Sequence, residues 1–297
     1  MKILIAGAGA MGSFFGAYLN NNNEVMLLTN HQKHIDKVKK DGLIINDTIY
    51  KINIDTYSNI KDKYDLIILF PKAYDLEKTI KEIKINTNSN TKILCLLNGL
   101  GHKETLLKYY DKDNIYLGIT TWASNLVEPG KILLSGEGKI EFQNLGNKDN
   151  DILNNVLNEA NLNSKISNNI IESIWNKVVI NATYNPLCTI LNMTMGQLSN
   201  TSMELIISIL DEIIECAKLD NVTLKKEYYL EYFKKIGLNT IGHHYPSMYQ
   251  DIKNKRQTEI EYLNGYIYRK GLKNNLNLDI NKTIYLLIKS LEKIIVK

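Results

Sequence analysis

Residues 2–12 read KILIAGAGAMG and carry the strongest structural signal in the chain. Lys2–Ala6 has the character of a short buried strand, the glycines match Gly-x-Gly-x-x-Gly, and a helical pattern continues to Leu19. This order predicts the first unit of a dinucleotide-binding sheet, because the helix amides then face a pyrophosphate. The alternative is a tight strand-to-helix turn that holds no ligand. The predicted cofactor contacts are Gly7, Ala8, Gly9, Ala10, Met11 and Gly12.

Alternating elements extend from this motif through the first half of the chain. Strands are predicted at Glu24–Leu28, Asp65–Phe70, Lys92–Leu97 and Ile115–Thr121, with helices at Leu76–Ile83 and Lys103–Tyr109. The alternation predicts an α/β fold, in which a parallel sheet is doubly wound by helices in the Rossmann manner. Two antiparallel additions are predicted: a hairpin of Leu43–Ile45 with Ile49–Ile54, and a pair of Lys131–Leu134 with Lys139–Phe142.

The second half of the chain shows helical periodicity, and strand signals stop after about Asn168. Helices are predicted at Ile170–Tyr184, Ser202–Lys218, Lys225–Lys235, Thr258–Lys273 and Asn281–Ile295. With 297 residues, 44% of them hydrophobic, the chain is long enough for two cores. We therefore predict a dinucleotide-binding domain over 1–168 and an all-helical, substrate-binding C-terminal domain over 169–297.

Composition limits the partners and the compartment. The 36 basic and 32 acidic residues are scattered along the chain, so the net charge of +4 predicts no nucleic-acid partner. The cysteines Cys95, Cys188 and Cys216 are far apart, which indicates neither a disulfide framework nor a metal site and favours the cytoplasm. The N-terminus also resembles a secretory signal peptide, but glycines interrupt it. No other apolar run approaches the roughly 20 residues of a membrane span, so no membrane partner is expected.

The choice between NAD and NADP depends on the residues that follow the second predicted strand. An NAD-binding domain usually has an acidic residue there, which binds the ribose hydroxyls. Here the chain reads LTNHQK over Leu28–Lys33, with no carboxylate and with His31 and Lys33 available to a 2′-phosphate. The sequence therefore favours NADP (NADPH). The alternative is that these are ordinary solvated residues at a helix start.

Lys177, Asn181 and Asn185 are spaced four residues apart and would share one face of a helix. Apolar neighbours such as Val178 and Val179 flank this polar stripe. A lysine in such surroundings loses hydration, which lowers its pKa and makes it a better proton donor near neutral pH. Asparagine amides bind hydroxyl and carbonyl oxygens without adding charge. The alternative is a solvated face of lysine and asparagine.

Four further polar residues are candidates, and each has a plain structural alternative. Ser247 and Gln250 form a capping-box pattern at a helix start, although a helix N-terminus also attracts a substrate carboxylate. Glu259 would be favoured in the first turn of a helix in any case. Lys72 and Asn98 lie in predicted strand-end loops, where such side chains are usually solvated.

Five segments together resemble the ketopantoate reductases, also called 2-dehydropantoate 2-reductases. They are PKAY (Pro71–Tyr74), NGLG (Asn98–Gly101), WNKVVINATYNPL (Trp175–Leu187), HYPSMYQD (His244–Asp251) and RQTEIEYLNG (Arg256–Gly265). The likeness covers nearly the whole chain, and the motifs follow the family's order. It implies that NADPH reduces the 2-keto group of ketopantoate to give pantoate, a precursor of pantothenate and coenzyme A.

The resemblance also implies a role for each matched residue. Lys177 would be the catalytic general acid. The substrate would contact Asn98, Lys177, Asn181, Asn185 and Ser247. The cofactor would contact Gly7–Gly12, Lys72, Asn98, the backbone of Ala123, and Glu259. The expected partner is thus a small 2-keto acid, and a homodimer is left open.

Two positions depart from the family's pattern. Asn30 stands where the family often has an arginine for the 2′-phosphate, which weakens the expected preference for NADPH. Met195 stands where some members have a further asparagine, so one substrate hydrogen bond would be missing. Two alternatives therefore stay open. One is a related dehydrogenase of another small keto or hydroxy acid, and the other is a non-catalytic NADP-binding regulator.

Overall fold

The computed structural model describes residues 1–146, 148–238 and 240–295. The strands are β1 (Lys2–Ala6), β2 (Glu24–Leu28), β3 (Leu43–Ile45), β4 (Thr48–Tyr50), β5 (Asn53–Asp55), β6 (Leu66–Leu69), β7 (Lys92–Cys95), β8 (Ile115–Thr120), β9 (Ala123–Glu128), β10 (Lys131–Ser135), β11 (Ile140–Asn144) and β12 (Ser164–Ile166). The helices are α1 (Ala10–Leu19), α2 (Gln32–Asp41), α3 (Leu76–Ile83), α4 (His102–Leu107), α5 (Asp151–Glu159), α6 (Ile170–Leu191), α7 (Met195–Thr201), α8 (Met203–Lys218), α9 (Lys226–Leu238), α10 (Ser247–Lys253), α11 (Asn264–Lys273) and α12 (Asp279–Ile295).

An eight-stranded sheet organises the N-terminal part, in the order β12-β11-β8-β7-β6-β1-β2-β5. Each neighbouring pair in the run β8-β7-β6-β1-β2-β5 is parallel, and β11 runs antiparallel to β8. β6 reads LIIL and is buried at every position, as expected of a strand covered on both faces. Because β1 lies between β2 and β6, the strand order reverses at β1, and its carboxyl end is the switch point where such sheets bind ligands. The predicted α/β fold is confirmed.

The two predicted antiparallel additions are partly wrong. β3 and β4 form the expected hairpin, but β5 leaves it and joins the edge of the large sheet beside β2. The strands β10 and β11 do not pair with each other: β10 pairs with β9 and β3 in a four-stranded sheet, and β11 pairs with β8. Most of β9 is exposed, so it carries no apolar alternation that sequence analysis could detect. Tertiary packing, rather than proximity along the chain, selected these partners.

Contacts divide the chain into two compact units, Met1–Leu97 with His102–Ile170, and Asn98–Gly101 with Ile171–Lys297. The second unit packs helices α6–α12 around its own core, in which Trp175 and Phe233 are fully buried. The short segment Asn98–Gly101 belongs to this helical unit, which a single boundary in the sequence cannot represent. What each unit binds remains a prediction.

Two helices show the largest differences from their predicted extents. α6 continues beyond Tyr184 to Leu191, although Pro186 lies inside it. The predicted helix Thr258–Lys273 is divided into a 3₁₀ turn at Ile260–Tyr262 and α11, because Leu263 has φ −111° and ψ −107°, which no helix allows. No helix in the described part of the chain is both long and apolar enough to cross a membrane.

Candidate active site

The glycine turn follows the carboxyl end of β1. Gly7 has φ +106°, a conformation that favours glycine, and its amide donates to the Leu28 carbonyl oxygen at 3.0 Å. A Cβ on Gly7 would lie 2.5 Å from the Phe70 carbonyl carbon, and a Cβ on Gly12 would overlap the Gly7 carbonyl oxygen. A Cβ on Gly9, by contrast, would meet nothing within 4 Å. The fold itself therefore requires the first and third glycines, whereas the second leaves open space that a ligand can use.

α1 begins directly after this turn, with Gly9 as its N-cap and no side-chain capping bond. A glycine cap brings no oxygen of its own to the first amides of the helix, so an external anion can accept hydrogen bonds from them. The turn and the helix start therefore have the geometry that a pyrophosphate requires.

Ser13 and His34 support the turn, and sequence analysis identified neither of them. The Gly130 amide donates to His34 Nδ1 at 3.0 Å, so in the neutral ring Nε2 carries the proton and donates to Ser13 Oγ at 3.2 Å. The Ser13 hydroxyl in turn donates to the Ala8 carbonyl oxygen at 3.3 Å. Burial lowers the pKa of His34 below its usual value, and His31 adds a smaller effect in the same direction. This link joins three segments that no local pattern connects.

The structure places Lys72 and Ala123 near the carboxyl edge of the large sheet. Lys72 follows β6 and immediately precedes a 3₁₀ turn, and it is partly exposed. Ala123 begins β9, and the next residue, Ser124, places its Oγ 3.0 Å from Met11 Sδ in the glycine motif. Both predicted cofactor residues therefore follow strands whose carboxyl ends lie on the side of the glycine turn.

The residues that bear on cofactor choice lie just beyond β2. Asn30, His31 and Lys33 are all exposed. Asp55 ends the neighbouring strand β5, but its carboxylate accepts from the Thr56 amide, from Asn59 and from Lys39, and the first of these bonds contributes most to lowering the pKa of Asp55. Because that carboxylate is engaged locally, we do not assign it to a ribose.

α6 carries Lys177, Asn181 and Asn185 on successive turns, so the predicted stripe does lie on one helix. Lys177 and Asn181 are partly exposed, and Asn185 is buried. Burial lowers the pKa of Lys177 from 10.5 to about 8, while the carboxylate of Glu259 acts in the opposite direction. The direction of this shift agrees with the prediction from the sequence, and Glu259 is the charged group that moderates it.

Asn98 and Glu259 lie in two segments that are joined by a backbone hydrogen bond. The Leu100 amide donates to the Tyr262 carbonyl oxygen at 2.8 Å. Gly99 has φ +99°, and a Cβ there would lie 2.6 Å from that same oxygen. The loop that contains Asn98 is thus held against the 3₁₀ turn that begins just after Glu259. The structure thereby joins the two segments that carry these candidates.

Ser247 begins α10, but it does not cap it. The N-cap is Pro246, no side chain caps the helix, and Gln250 Nε2 donates to the Tyr245 carbonyl oxygen at 3.3 Å. The predicted capping box is therefore wrong, and the Ser247 side chain is exposed. The loop before Ser247 is anchored by Met195, whose amide donates to the His244 carbonyl oxygen at 3.1 Å.

Within residues 1–146, 148–238 and 240–295, no group of three or more His, Cys, Asp or Glu side chains is arranged to hold a metal ion. Cys95, Cys188 and Cys216 are free and buried, and burial raises the pKa of each to about 12. A thiol with such a pKa stays protonated and unreactive at neutral pH.

A glycine turn at the switch point of a parallel sheet, followed by a helical unit with a lysine of lowered pKa, is the architecture of a dinucleotide-dependent oxidoreductase. Residues 3–147 match the family described as Ketopantoate reductase PanE/ApbA, and residues 169–292 match its C-terminal domain. The chain belongs to the ketopantoate reductase family, which confirms the resemblance seen in its motifs.

Three similar proteins accompany this assignment, and one of them has a different named activity. The 2-dehydropantoate 2-reductase of Lactococcus lactis is 43% identical over 290 residues, or 93% of each chain. The enzyme of the same name from Streptococcus pyogenes serotype M1 is 35% identical over 305 residues, or 99% of each chain. A solved structure of D-mandelate dehydrogenase with NADH and anilino(oxo)acetate is 39% identical, with a TM-score of 0.94 over 99% of each chain.

Proposed function

We propose that this chain reduces 2-dehydropantoate (ketopantoate) to pantoate with NADPH. The observation that carries the proposal is Lys177, which lies in the family motif WNKVVINATYNPL (Trp175–Leu187) and whose pKa burial lowers to about 8. A lysine with that pKa still holds its proton at neutral pH, but gives it up more readily than a solvated lysine does. It is therefore suited to the proton transfer that reduction of a keto group requires.

The dinucleotide is assigned to the turn Gly7–Gly12. The residues present fit it, since the space above Gly9 is open and since α1 starts there without a side-chain cap. Lys72 and the backbone of Ala123 are assigned to the same ligand, because they follow strands at the same edge of the sheet. When bound, the reduced nicotinamide supplies a hydride to the keto carbon.

Asn98 and Glu259 complete the proposed cofactor contacts, and Glu259 has a second role. Its carboxylate raises the pKa of Lys177 against the effect of burial. Without that charge, more of the lysine would be neutral near pH 7 and unable to donate. We therefore assign Glu259 to keeping the general acid protonated.

The keto acid is assigned to polar side chains of the helical unit, namely Asn98, Lys177, Asn181, Asn185 and Ser247. Asparagine amides can donate to a carboxylate or accept from a hydroxyl. Lys177 would hold the carbonyl oxygen, stabilise the negative charge that develops on it, and donate the proton that yields the alcohol.

A second candidate function is oxidation and reduction of another 2-hydroxy acid and 2-keto acid pair with NADH. It is favoured by the likeness to D-mandelate dehydrogenase, whose structure holds NADH, at 39% identity and a TM-score of 0.94. Asn30 is compatible with it, because no arginine stands there to bind a 2′-phosphate. Met195 is also compatible, because it alters the side chains available to the substrate.

One experiment separates these functions. The purified protein is assayed by nicotinamide absorbance with ketopantoate or phenylglyoxylate, the keto acid of mandelate, each with NADPH or NADH. We expect the highest kcat/KM for ketopantoate with NADPH. A higher value for phenylglyoxylate with NADH would replace the first function by the second. Binding of NADPH without turnover of either acid would instead indicate a regulator.

Cytoplasmic location and a homodimer are parts of the same proposal. Three free, buried cysteines are compatible with a reducing compartment. The homodimer stays a prediction, which light scattering of the purified protein would test by its mass, against 34.0 kDa for one chain.

A further inference from the structure

Pro186 interrupts the hydrogen bonding of α6 one residue beyond Asn185. A proline has no N–H, so the Ala182 carbonyl oxygen lacks the donor that residue 186 would supply in an uninterrupted helix. Ala182 is completely buried, where an unpaired carbonyl is costly. This peptide lies between Asn181 and Asn185, both of which are assigned to the substrate.

Asn264 supplies the missing donor. It is the first residue of α11 and is completely buried, and its Nδ2 donates to the Ala182 carbonyl oxygen at 2.9 Å. The same nitrogen donates to Asn281 Oδ1 at 3.0 Å. Both hydrogens of the amide are thus used, one towards α6 and one towards α12.

A carboxylate determines the orientation of these amides. Oε2 of Glu212, on α8, accepts from Asn281 Nδ2 at 2.7 Å and from the Asn281 backbone amide at 2.8 Å. An ionised carboxylate only accepts, so Asn281 turns its NH₂ group towards Glu212 and its oxygen towards Asn264. Asn264 must therefore turn its NH₂ group towards the Asn281 oxygen and donate one hydrogen to it. The second hydrogen of that group is donated to the Ala182 carbonyl oxygen.

The other side of the Asn264 amide carries a buried oxygen. Its Oδ1 atom is buried and has no hydrogen-bond partner in the described part of the chain. A buried polar atom without a partner destabilises the fold, so the two hydrogen bonds that the NH₂ group donates must offset that effect. The contribution of an asparagine at this position must therefore come from the hydrogen bonds that its NH₂ group donates to α6 and α12.

We infer that Asn264 is a positioning residue, which fixes the course of α6 at Pro186 and so keeps Asn185 in line with Lys177. Helices bend at prolines, and a side chain that fixes the freed carbonyl restricts that bend. The inference rests on the function proposed above, because it takes Lys177 and Asn185 as groups that act on one substrate. A displacement of about 1 Å in such groups can cost about 100-fold in rate.

The test is Asn264→Leu, which keeps the size of the side chain and removes both donors. The matched control is Asn274→Leu, the same change at the exposed C-terminal end of α11. We expect Asn264→Leu to lower kcat/KM for the keto acid by about 10- to 100-fold. The Kd for NADPH should stay within about twofold of wild type, because a local change in α6 does not alter the glycine turn. The control should retain both values.

A second readout does not depend on activity. Hydrogen exchange of the amides of residues 181–185 and 187 should become faster in Asn264→Leu and stay unchanged in Asn274→Leu. If Asn264→Leu does not fold, Glu212→Gln serves instead, because it keeps the size but removes the charge that orients Asn281, and it should show the same changes in smaller degree.

The outcomes separate the two ideas. A folded Asn264→Leu protein with unchanged exchange and unchanged kcat/KM would overturn the positioning role. Faster exchange in this variant, together with a wild-type protein that turns over neither keto acid, would uphold the role of Asn264 in fixing α6 and refute the proposed function.

Discussion

The glycine turn after β1 and the polar face of α6 carry the two halves of the proposed reaction, but they are built differently. The turn uses backbone groups from one contiguous stretch, and its central feature is the absence of a side chain at Gly9. The face of α6 uses side chains, and its charge balance depends on Glu259, which lies far along the chain. The turn should therefore be impaired by a substitution that adds a side chain, whereas the face of α6 should be impaired by a substitution that removes one.

Removing atoms from α6 should have the largest effect. Lys177→Ala is expected to lose about 10²- to 10⁴-fold in kcat, because that is the usual contribution of a positioned general acid. Affinity for NADPH, measured by calorimetry, should change little. Lys234→Ala, an exposed lysine on α9, is the matched control. Wild-type kcat in Lys177→Ala would show that Lys177 belongs to a solvated face and not to the reaction.

The same residue predicts a pH dependence. Since burial lowers the pKa of Lys177 to about 8, the group loses its proton as pH rises through that value, and kcat/KM should fall on the alkaline side. Glu259→Gln removes the carboxylate that raises this pKa, so the fall should begin at lower pH. A pH profile that is identical in the two proteins would contradict the role given to Glu259.

Adding atoms to the turn should have the next largest effect. Gly9→Val is expected to weaken dinucleotide binding by at least about tenfold, because the side chain would occupy the space over the turn while leaving the fold intact. Gly7→Ala differs, since its Cβ would overlap the backbone at Phe70, and it should destabilise the fold itself. Calorimetry and thermal unfolding distinguish the two. Unchanged affinity in a folded Gly9→Val protein would move the cofactor site elsewhere.

A substitution at Asn30 should change the preference between NADPH and NADH, with a smaller effect than the changes at Lys177 and Gly9. Asn30→Arg adds an exposed guanidinium beyond β2, and charge-assisted contact with a 2′-phosphate should raise the ratio of kcat/KM for NADPH over NADH by about tenfold. Asn30→Gln controls for size and should leave the ratio near wild type. An unaltered ratio in Asn30→Arg would mean that the 2′-position of the ribose does not approach Asn30.

The smallest expected effect is a pH dependence of stability caused by His34, which supports the glycine turn. His34 has a lowered pKa in the folded chain, so the unfolded chain binds the proton more readily, and stability should fall as pH drops below about 6.5 towards the folded pKa. Urea unfolding at several pH values should show a weaker decline in His34→Gln. His243→Gln, at an exposed histidine of the helical unit, should keep the wild-type slope. Equal slopes in all three proteins would exclude His34 as the source.

Sequence alone was sufficient where the physics is local. β1 and α1 lie where predicted, because strand and helix periodicity and the steric demands at Gly7 and Gly12 act over a few residues. The shared face of Lys177, Asn181 and Asn185 follows from the helical repeat in the same way. Family membership was also readable, since the matching motifs are short and contiguous.

Tertiary structure alone determined the contacts between distant segments. It assigned β10 and β11 to different sheets, and it placed Asn98–Gly101 in the helical unit. It also set the His34 link to Gly130, across 96 residues, and the Asn264 bond to Ala182, across 82 residues. Each is a hydrogen bond or a packing contact whose partners have no periodic or steric relation along the chain, so only the folded core could select them.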